Sequence, residues 1–303
     1  MRSPGTDGAL IRAMPAVFVL IWSTGFIVAK YGLPYAPPLS FLAIRYLLSL
    51  LCFLVWIVVA RVAWPQSRTQ WLHLGVTGIL IHAGYLGGVW SAIKGGMGSG
   101  LSALVVGLQP ILTAVWVSRM GDAALSDNRV SRRQWLGLAL GLAGLLVVVS
   151  RKFGAGNEAT LHTLAFAVFA LLSITTGTLY QKRFVKAADV RSANAIQLGA
   201  ALLVTLPLAL LETESVRWTP EFMGALAWSV LALTLGGSSL LYMLIQRGAA
   251  TAVTSLLYLV PPTTALMAWL LFGESITLVT LLGTALTALG VWLVVRSASK
   301  AAT

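Results

Sequence analysis

The sequence predicts an all-α membrane protein, with ten transmembrane helices arranged as two inverted five-helix repeats. Three observations carry that expectation. Of 303 residues, 58% are apolar and only 10% charged, which would give a soluble domain far more greasy surface than it could bury. The apolar residues gather into ten stretches, each near the roughly 20 residues a helix needs to cross a hydrocarbon core of about 30 Å. A pattern marked by proline and glycine recurs in the two halves at a common offset.

The stretches lie near residues 14–33, 38–60, 71–91, 100–119, 132–150, 161–181, 191–211, 222–245, 251–271 and 276–296. The first follows Arg2 and Arg12 and could pass for a secretory signal. However, no A-x-A type cleavage site follows before Tyr35-Ala36-Pro37-Pro38, so it is expected to remain as a span. The second opens at Pro38 and holds Arg45 and Cys52; a lone cysteine permits no intramolecular disulfide. Gly84, Gly87 and Gly88 in the third, and Gly95, Gly96, Gly98 and Gly100 after it, are expected to soften the helix where a gate would help. Pro110 in the fourth and Pro261-Pro262 in the ninth leave carbonyls unpaired, for water or cargo to satisfy. Gly137, Gly141 and Gly144 trace one face of the fifth, a spacing expected to pack helices within one chain rather than between two.

Residues around Gly25 align with those around Gly177 at an offset of 152. The same offset sets Pro110 on Pro262 and Gly121-Asp122 on Gly273-Glu274. After a short insertion in the first copy, the run from Trp135 to Gly144 matches the run from Leu281 to Gly290. The repeats are therefore residues 14–150 and 161–296. Five is odd, so the second copy enters the membrane upside down, and such repeats place a substrate site at their interface near the midplane.

A net charge of +12 could indicate a nucleic-acid partner, but the basic residues sit in short connections rather than in one stripe. With the N-terminus inside, fifteen of the 21 fall on the inner side, among them Arg129, Arg132, Arg133, Lys182, Arg183 and Lys186. Five (Lys30, Lys94, Arg151, Lys152, Arg217) fall outside, and Arg45 lies within a span. The positive-inside rule then puts both termini in the cytoplasm. Trp64, Trp71, Trp135 and Trp218 stand at span ends, where indole rings anchor at the headgroups. Trp22 and Trp90 adjoin polar or glycine-rich sequence and are candidates for a cavity wall.

A second span running Pro38 to Arg45, Leu108-Gln-Pro110 and Leu259-Val-Pro261 in the fourth and ninth, Gly273-Glu274, and Leu281 to Gly290 together resemble the EamA family of the drug/metabolite transporter superfamily. The resemblance runs from about residue 14 to residue 296, and within the family the chain is most similar to bacterial aromatic amino-acid exporters. It implies a bacterial inner-membrane location and a central cavity lined by helices 1, 3, 4, 6, 8 and 9. The first copy departs in having Gly121-Asp122 for Gly-Glu, and the second in having Gln197 where Arg45 would align.

A carrier of small polar metabolites needs a polar stripe inside an apolar bundle. Helical spacing groups His82 with Tyr85; Ser173 with Thr176 and Tyr180; Ser239 with Tyr242 and Gln246; and Thr251 with Ser255 and Tyr258. Ser99, Ser102 and Gln109 join from the fourth span. The candidate substrate-binding set is therefore Trp22, His82, Tyr85, Trp90, Ser99, Ser102, Gln109, Thr176, Tyr180, Ser239, Tyr242, Ser255 and Tyr258. For each Ser or Thr the competing role is a bond to its own helix carbonyls or close packing. Arg45 could hold a substrate carboxylate, but a charge within a span usually has a protein partner, and topology places Glu274 on its side; the expected structural pair is Arg45 with Glu274. No acidic residue lies deep in a span, which favours facilitated or weakly coupled movement over tight proton antiport.

The resulting expectation is a transporter exporting small metabolites, aromatic or other apolar amino acids first, by alternating access. It requires no cofactor and no metal, has membrane lipids and a small molecule as partners, and is compatible with a monomer. The alternatives are a drug or nucleotide-like cargo in the same fold, a membrane protein without transport, and an intramembrane enzyme. The last lacks sequence support: there is no H-E-x-x-H, and His73, His82 and His162 lie apart.

Overall fold

The computed structural model describes residues 4–120, 132–152, 159–237, 240 and 259–300. These form helices and no strand. In chain order they are α1 (Pro4–Gly32), α2 (Pro38–Val59), α3 (Arg68–Lys94), α4 (Ser99–Val106 and Gln109–Met120), α5 (Arg132–Lys152), α6 (Leu161–Phe184), α7 (Val190–Ala209), α8 (Pro220–Gly236), α9 (Val260–Phe272) and α10 (Leu278–Lys300). By length and composition α2, α3, α6 and α7 can each cross a membrane; the other six contribute shorter apolar runs. Large apolar side chains such as Val58, Leu203, Leu211 and Leu270 face outward, while Ser23, Ser49, Ser99 and Thr264 are buried inside. That inversion of the soluble pattern suits a lipid solvent.

Local chemistry sets the helix ends. Pro38 occupies the first turn of α2, where its missing N–H costs nothing. Thr160, Asp189 and Thr219 accept from the first-turn amides of α6, α7 and α8. At the far end of α2, Val62 N–H donates to Ile57 O and Arg61 N–H to Val58 O, closing the helix on Arg61 at φ 49°. α4 breaks at Gly107-Leu108, ahead of Pro110, and a Cβ at Gly107 would come within 2.9 Å of Pro261 Cγ on α9.

The helix packing has a mirrored pattern. α2 packs on α7, α5 on α10 and α4 on α9, while α3 on α6 is matched by α8 on α1, and α3 on α7 by α8 on α2. The α5–α10 seam is the most extensive. There a Cβ at Gly144 would overlap the Gly283 carbonyl oxygen, and one at Gly290 would overlap that of Gly137; Thr287 Oγ1 donates to Gly141 O at 3.3 Å between them. The small-residue face of α5 is therefore used inside the chain. Gly84 and Gly88 have a similar role, because a Cβ at either would come within 2.8 Å of Ser173 Oγ or of the Phe166 carbonyl oxygen on α6. They bring α3 against α6, where the sequence suggested softening.

Candidate functional site

A cavity of about 650 Å³ occupies the centre, with walls from α1, α2, α3, α4, α6, α7 and α8. It reaches the exposed stretch Gln181 to Ala188, where α6 turns into α7, and ends against Trp90. Trp90 is 1% exposed and packs 4.4 Å, centroid to centroid, from Phe41, which meets Phe222 edge-on at 5.3 Å. The end of the molecule beyond Trp90 is cross-linked: Lys30 Nζ lies 2.7 Å from Glu274 Oε1, Lys94 Nζ 2.5 Å from Glu214 Oε2, and Glu212 accepts from Leu39 N, Ser40 N and Ser40 Oγ.

Each half contributes a π-helical stretch to the wall, Ile79–Leu86 in α3 and Ser229–Gly236 in α8. The wide turn changes which donors and acceptors face inward. In α3 it presents His82 and Tyr85 to the cavity, while the His82 carbonyl accepts from Tyr46 Oη at 2.8 Å. In α8, Thr234 Oγ1 donates to Ser229 O, five residues back, and accepts from both Nε and Nη2 of Arg45 at 3.2 Å. At the repeat offset Arg45 corresponds to Gln197 and Thr234 to His82, and Gln197 lies beside His82 in the same wall. His82 Nε2 is buried without a hydrogen-bond partner.

Of the candidate residues, Trp22, His82, Tyr85, Trp90 and Gln109 line the cavity, Gln109 through a 3.1 Å bond from Nε2 to Thr178 Oγ1. Four others sit elsewhere. Ser99 donates its hydroxyl to Phe26 O; Ser102 is buried away from the lining; Thr176 bonds back to Leu172 O and Ser173 O; and Tyr180 Oη meets His73 Nδ1 at 2.8 Å. Ser239, Tyr242, Ser255 and Tyr258 lie outside the described residues.

The expected Arg45–Glu274 pair does not form. Glu274 takes Lys30 and the amides of Ser99 and Gly100, and Arg45 turns inward to Thr234. The reason lies in the backbone: Gly273, at φ 64°, closes α9 and folds Glu274 back onto the uncapped start of α4. Nor are α2 and α7 merely supports, since Arg45 on one and Ala193, Asn194 and Gln197 on the other line the cavity. On α6 the lining is Ile174, Thr178, Gln181 and Lys182, with Val185 just past its end, a face turned away from the Ser173, Thr176, Tyr180 stripe. An i, i+4, i+7 search anchored on Gln181 would have found the Ile174, Thr178, Gln181 face. Among the described residues no group of three or more His, Cys, Asp or Glu side chains converges as a metal site.

The arrangement is a water-accessible, aromatic-walled chamber closed at one end, suited to holding a small molecule and, among the described residues, without a nucleophile–base constellation. Comparison with known proteins agrees with that. A "Probable amino-acid metabolite efflux pump" of Salmonella typhimurium is 28% identical over 285 residues, covering 91% of this chain and 91% of that protein. The "Uncharacterized inner membrane transporter YedA" of Escherichia coli K12 is 26% identical over 272 residues, 88% of this chain and 84% of that one. A solved crystal structure, 16% identical, superposes with a TM-score of 0.64 over 95% of this chain and 96% of its own, which shows the shared fold. The protein is accordingly a multi-pass inner-membrane transporter and not an enzyme. Matched over residues 13–150 and again over 162–296, the chain belongs to the EamA-like transporter family.

Proposed function

We propose that this transporter exports small metabolites with an aromatic or apolar body, aromatic and other apolar amino acids first among them. It does so by alternating access between two inverted five-helix repeats, residues 14–150 and 161–296, that together supply ten transmembrane helices. The observation that carries the reading is the cavity: Trp22, Tyr85 and Trp90 offer ring faces while Gln109, Asn194 and Gln197 offer hydrogen bonds. Its volume of about 650 Å³ falls within the range of small-molecule sites. The mirrored helix packing supports the repeat, and the name of the Salmonella relative supports the cargo class.

Placing both termini in the cytoplasm, as the basic residues suggest, turns the open end at Gln181 to Ala188 inward and the cross-linked end outward. The chain then stands ready to load from the cytoplasm, and export requires the Lys30–Glu274 and Lys94–Glu214 links to part as the inner mouth closes. The α5–α10 seam uses the small-residue face internally, which supports a monomer as the functional unit.

Reconstitution into liposomes tests this. Initial flux of labelled phenylalanine, tryptophan, leucine and alanine is expected to exceed that of protein-free vesicles, with the aromatic substrates leading. Absence of flux for every amino acid would remove the cargo assignment, and a terminal reporter active only outside the inner membrane would reverse the orientation.

A further inference from the structure

Arg45 is 8% exposed, two turns into α2, a helix long and apolar enough to cross a membrane, and its hydrogen bonds both go to one neutral hydroxyl, that of Thr234. A guanidinium has five N–H donors and a charge that cannot be shed, so two bonds to an alcohol leave most of its demand unmet. Within a bilayer such a charge is normally matched by an anion. Among the described residues no carboxylate supplies it. Among the described residues none of the acidic side chains, Asp189, Glu212, Glu214, Glu221 and Glu274, lines the cavity, and the sequence 238–258, outside the described residues, contains neither Asp nor Glu. Asp189, between the lining residues Ala188 and Val190, is engaged by Arg191, and Glu274 is engaged by Lys30 and the start of α4. Lys182 and Lys186 stand at the mouth, so among the described residues that line the cavity the charged side chains, these two and Arg45, are all positive.

We infer that Arg45 is the anion-binding residue of the cavity: the cargo is recognised by a carboxylate seated on its guanidinium, and no countercharge reads an ammonium group. This rests on the transport reading and deepens it. The substrate class becomes aromatic or apolar carboxylates, with amino acids and their analogues lacking the amino group accepted alike. Lys182 and Lys186 raise the local concentration of such anions at the mouth, an effect that weakens with salt. The ring faces then select the body of a molecule whose charge has already been selected.

The test is binding of three compounds with the same ring to the purified full-length chain in detergent, by isothermal titration. These are L-phenylalanine, 3-phenylpropanoate, which lacks the ammonium, and L-phenylalaninamide, which lacks the carboxylate. The acid and the amino acid are expected to bind within about threefold of each other, and the amide at least about tenfold more weakly. In Arg45→Gln the three should converge to within about threefold, while Arg45→Lys, which keeps the charge, should retain part of the preference. Should Arg45→Gln not give a monodisperse protein, the wild-type series and Arg45→Lys still decide.

The inference is overturned if the amide binds the unmodified chain as well as phenylalanine does, if removing the ammonium abolishes binding, or if a folded Arg45→Gln keeps the full carboxylate preference. The first result would leave the aromatic cargo standing without the anion site. If instead propanoate binds as tightly as 3-phenylpropanoate while the amide does not bind, the anion site stands and the aromatic cargo falls.

Discussion

Lys30 Nζ lies 2.7 Å from Glu274 Oε1, and the same carboxylate accepts from the amides of Ser99 and Gly100, so one side chain joins α1, α4 and the α9–α10 connection. Its side chain is 8% exposed, which limits screening, although Lys30 at 34% remains partly solvated. Glu274→Ala is expected to cost on the order of 2 kcal/mol, with Glu274→Gln milder because one acceptor survives. In a Cys52→Ser background, a cysteine placed at Ser102 should also label faster with an impermeant maleimide added from outside. Unchanged thermal stability together with unchanged labelling would mean that the link holds nothing shut.

Among the described residues three helix ends close on a residue of positive φ, Arg61, Gly96 and Gly273, and the first and last give tests of opposite sign. At Gly273 (φ 64°) an added Cβ meets nothing within 4 Å, so Gly273→Ala should lose stability through backbone strain alone, about 1 to 2 kcal/mol, and Gly273→Asn less. At Arg61 (φ 49°) the reverse holds, and Arg61→Gly should gain up to about 1 kcal/mol. Unfolding midpoints of the purified variants check both signs.

The α5–α10 seam gives a paired steric test. Gly144→Ala forces a Cβ into the Gly283 carbonyl and is expected to cost about 1 to 3 kcal/mol, whereas Gly224→Ala on α8, with open space around it, should stay within about 1 kcal/mol of the parent. A shift to dimers in Gly144→Ala, without loss of stability, would contradict an intramolecular seam.

Ring removal separates cargo contacts from packing. Trp22→Ala and Tyr85→Ala should weaken transport of phenylalanine and tryptophan more than that of alanine, by about 0.5 to 1.5 kcal/mol of lost stacking. Trp90→Ala should depress all substrates together, because Trp90 also packs on Phe41 at the closed end. Initial rates normalised to folded protein read the difference, and equal losses for Trp22→Ala across substrates would reassign it to packing.

Asp189 gives the pH test. Arg191, bound to both carboxylate oxygens at 2.9 and 2.7 Å, holds its pKa below the ordinary value of 3.8. A depressed pKa means that the stabilisation is complete above that ordinary value and fades as pH falls through the lowered one. Asp189→Ala should therefore cost about 1 kcal/mol near neutrality, through the lost α7 cap, and less as the pH drops below about 4. A penalty that stays constant down to the lowest pH at which the chain remains folded would assign the effect to packing.

Hydropathy alone located the apolar helices, because lipid solvation acts on each stretch separately. Pro38, Asp189 and Pro220 mark helix starts within a few residues of those expected. The doubled set of glycines and prolines identified the family for a similar reason, since each mark answers a local demand such as the left-handed turn at Gly273. Trp22, His82, Tyr85, Trp90 and Gln109 were legible as wall residues because polar or aromatic groups beside glycine and proline stand out in an apolar helix.

Facing direction and partnership were decided by the tertiary structure. Consecutive helical residues point about 100° apart, so a stripe chosen one or two residues out of phase on α6 gives Thr176 and Tyr180 in place of Thr178 and Gln181. The π-helical stretches rotate α3 and α8 further, and no local composition announces them. Charge pairing depends on three-dimensional proximity: Arg45 and Glu274 fall on the same predicted side, yet the turn at Gly273 delivers Glu274 to Lys30 and the start of α4. Residue chemistry thus set which groups were available, and helix rotation and backbone turns, which depend on packing across the whole chain, set which of them meet.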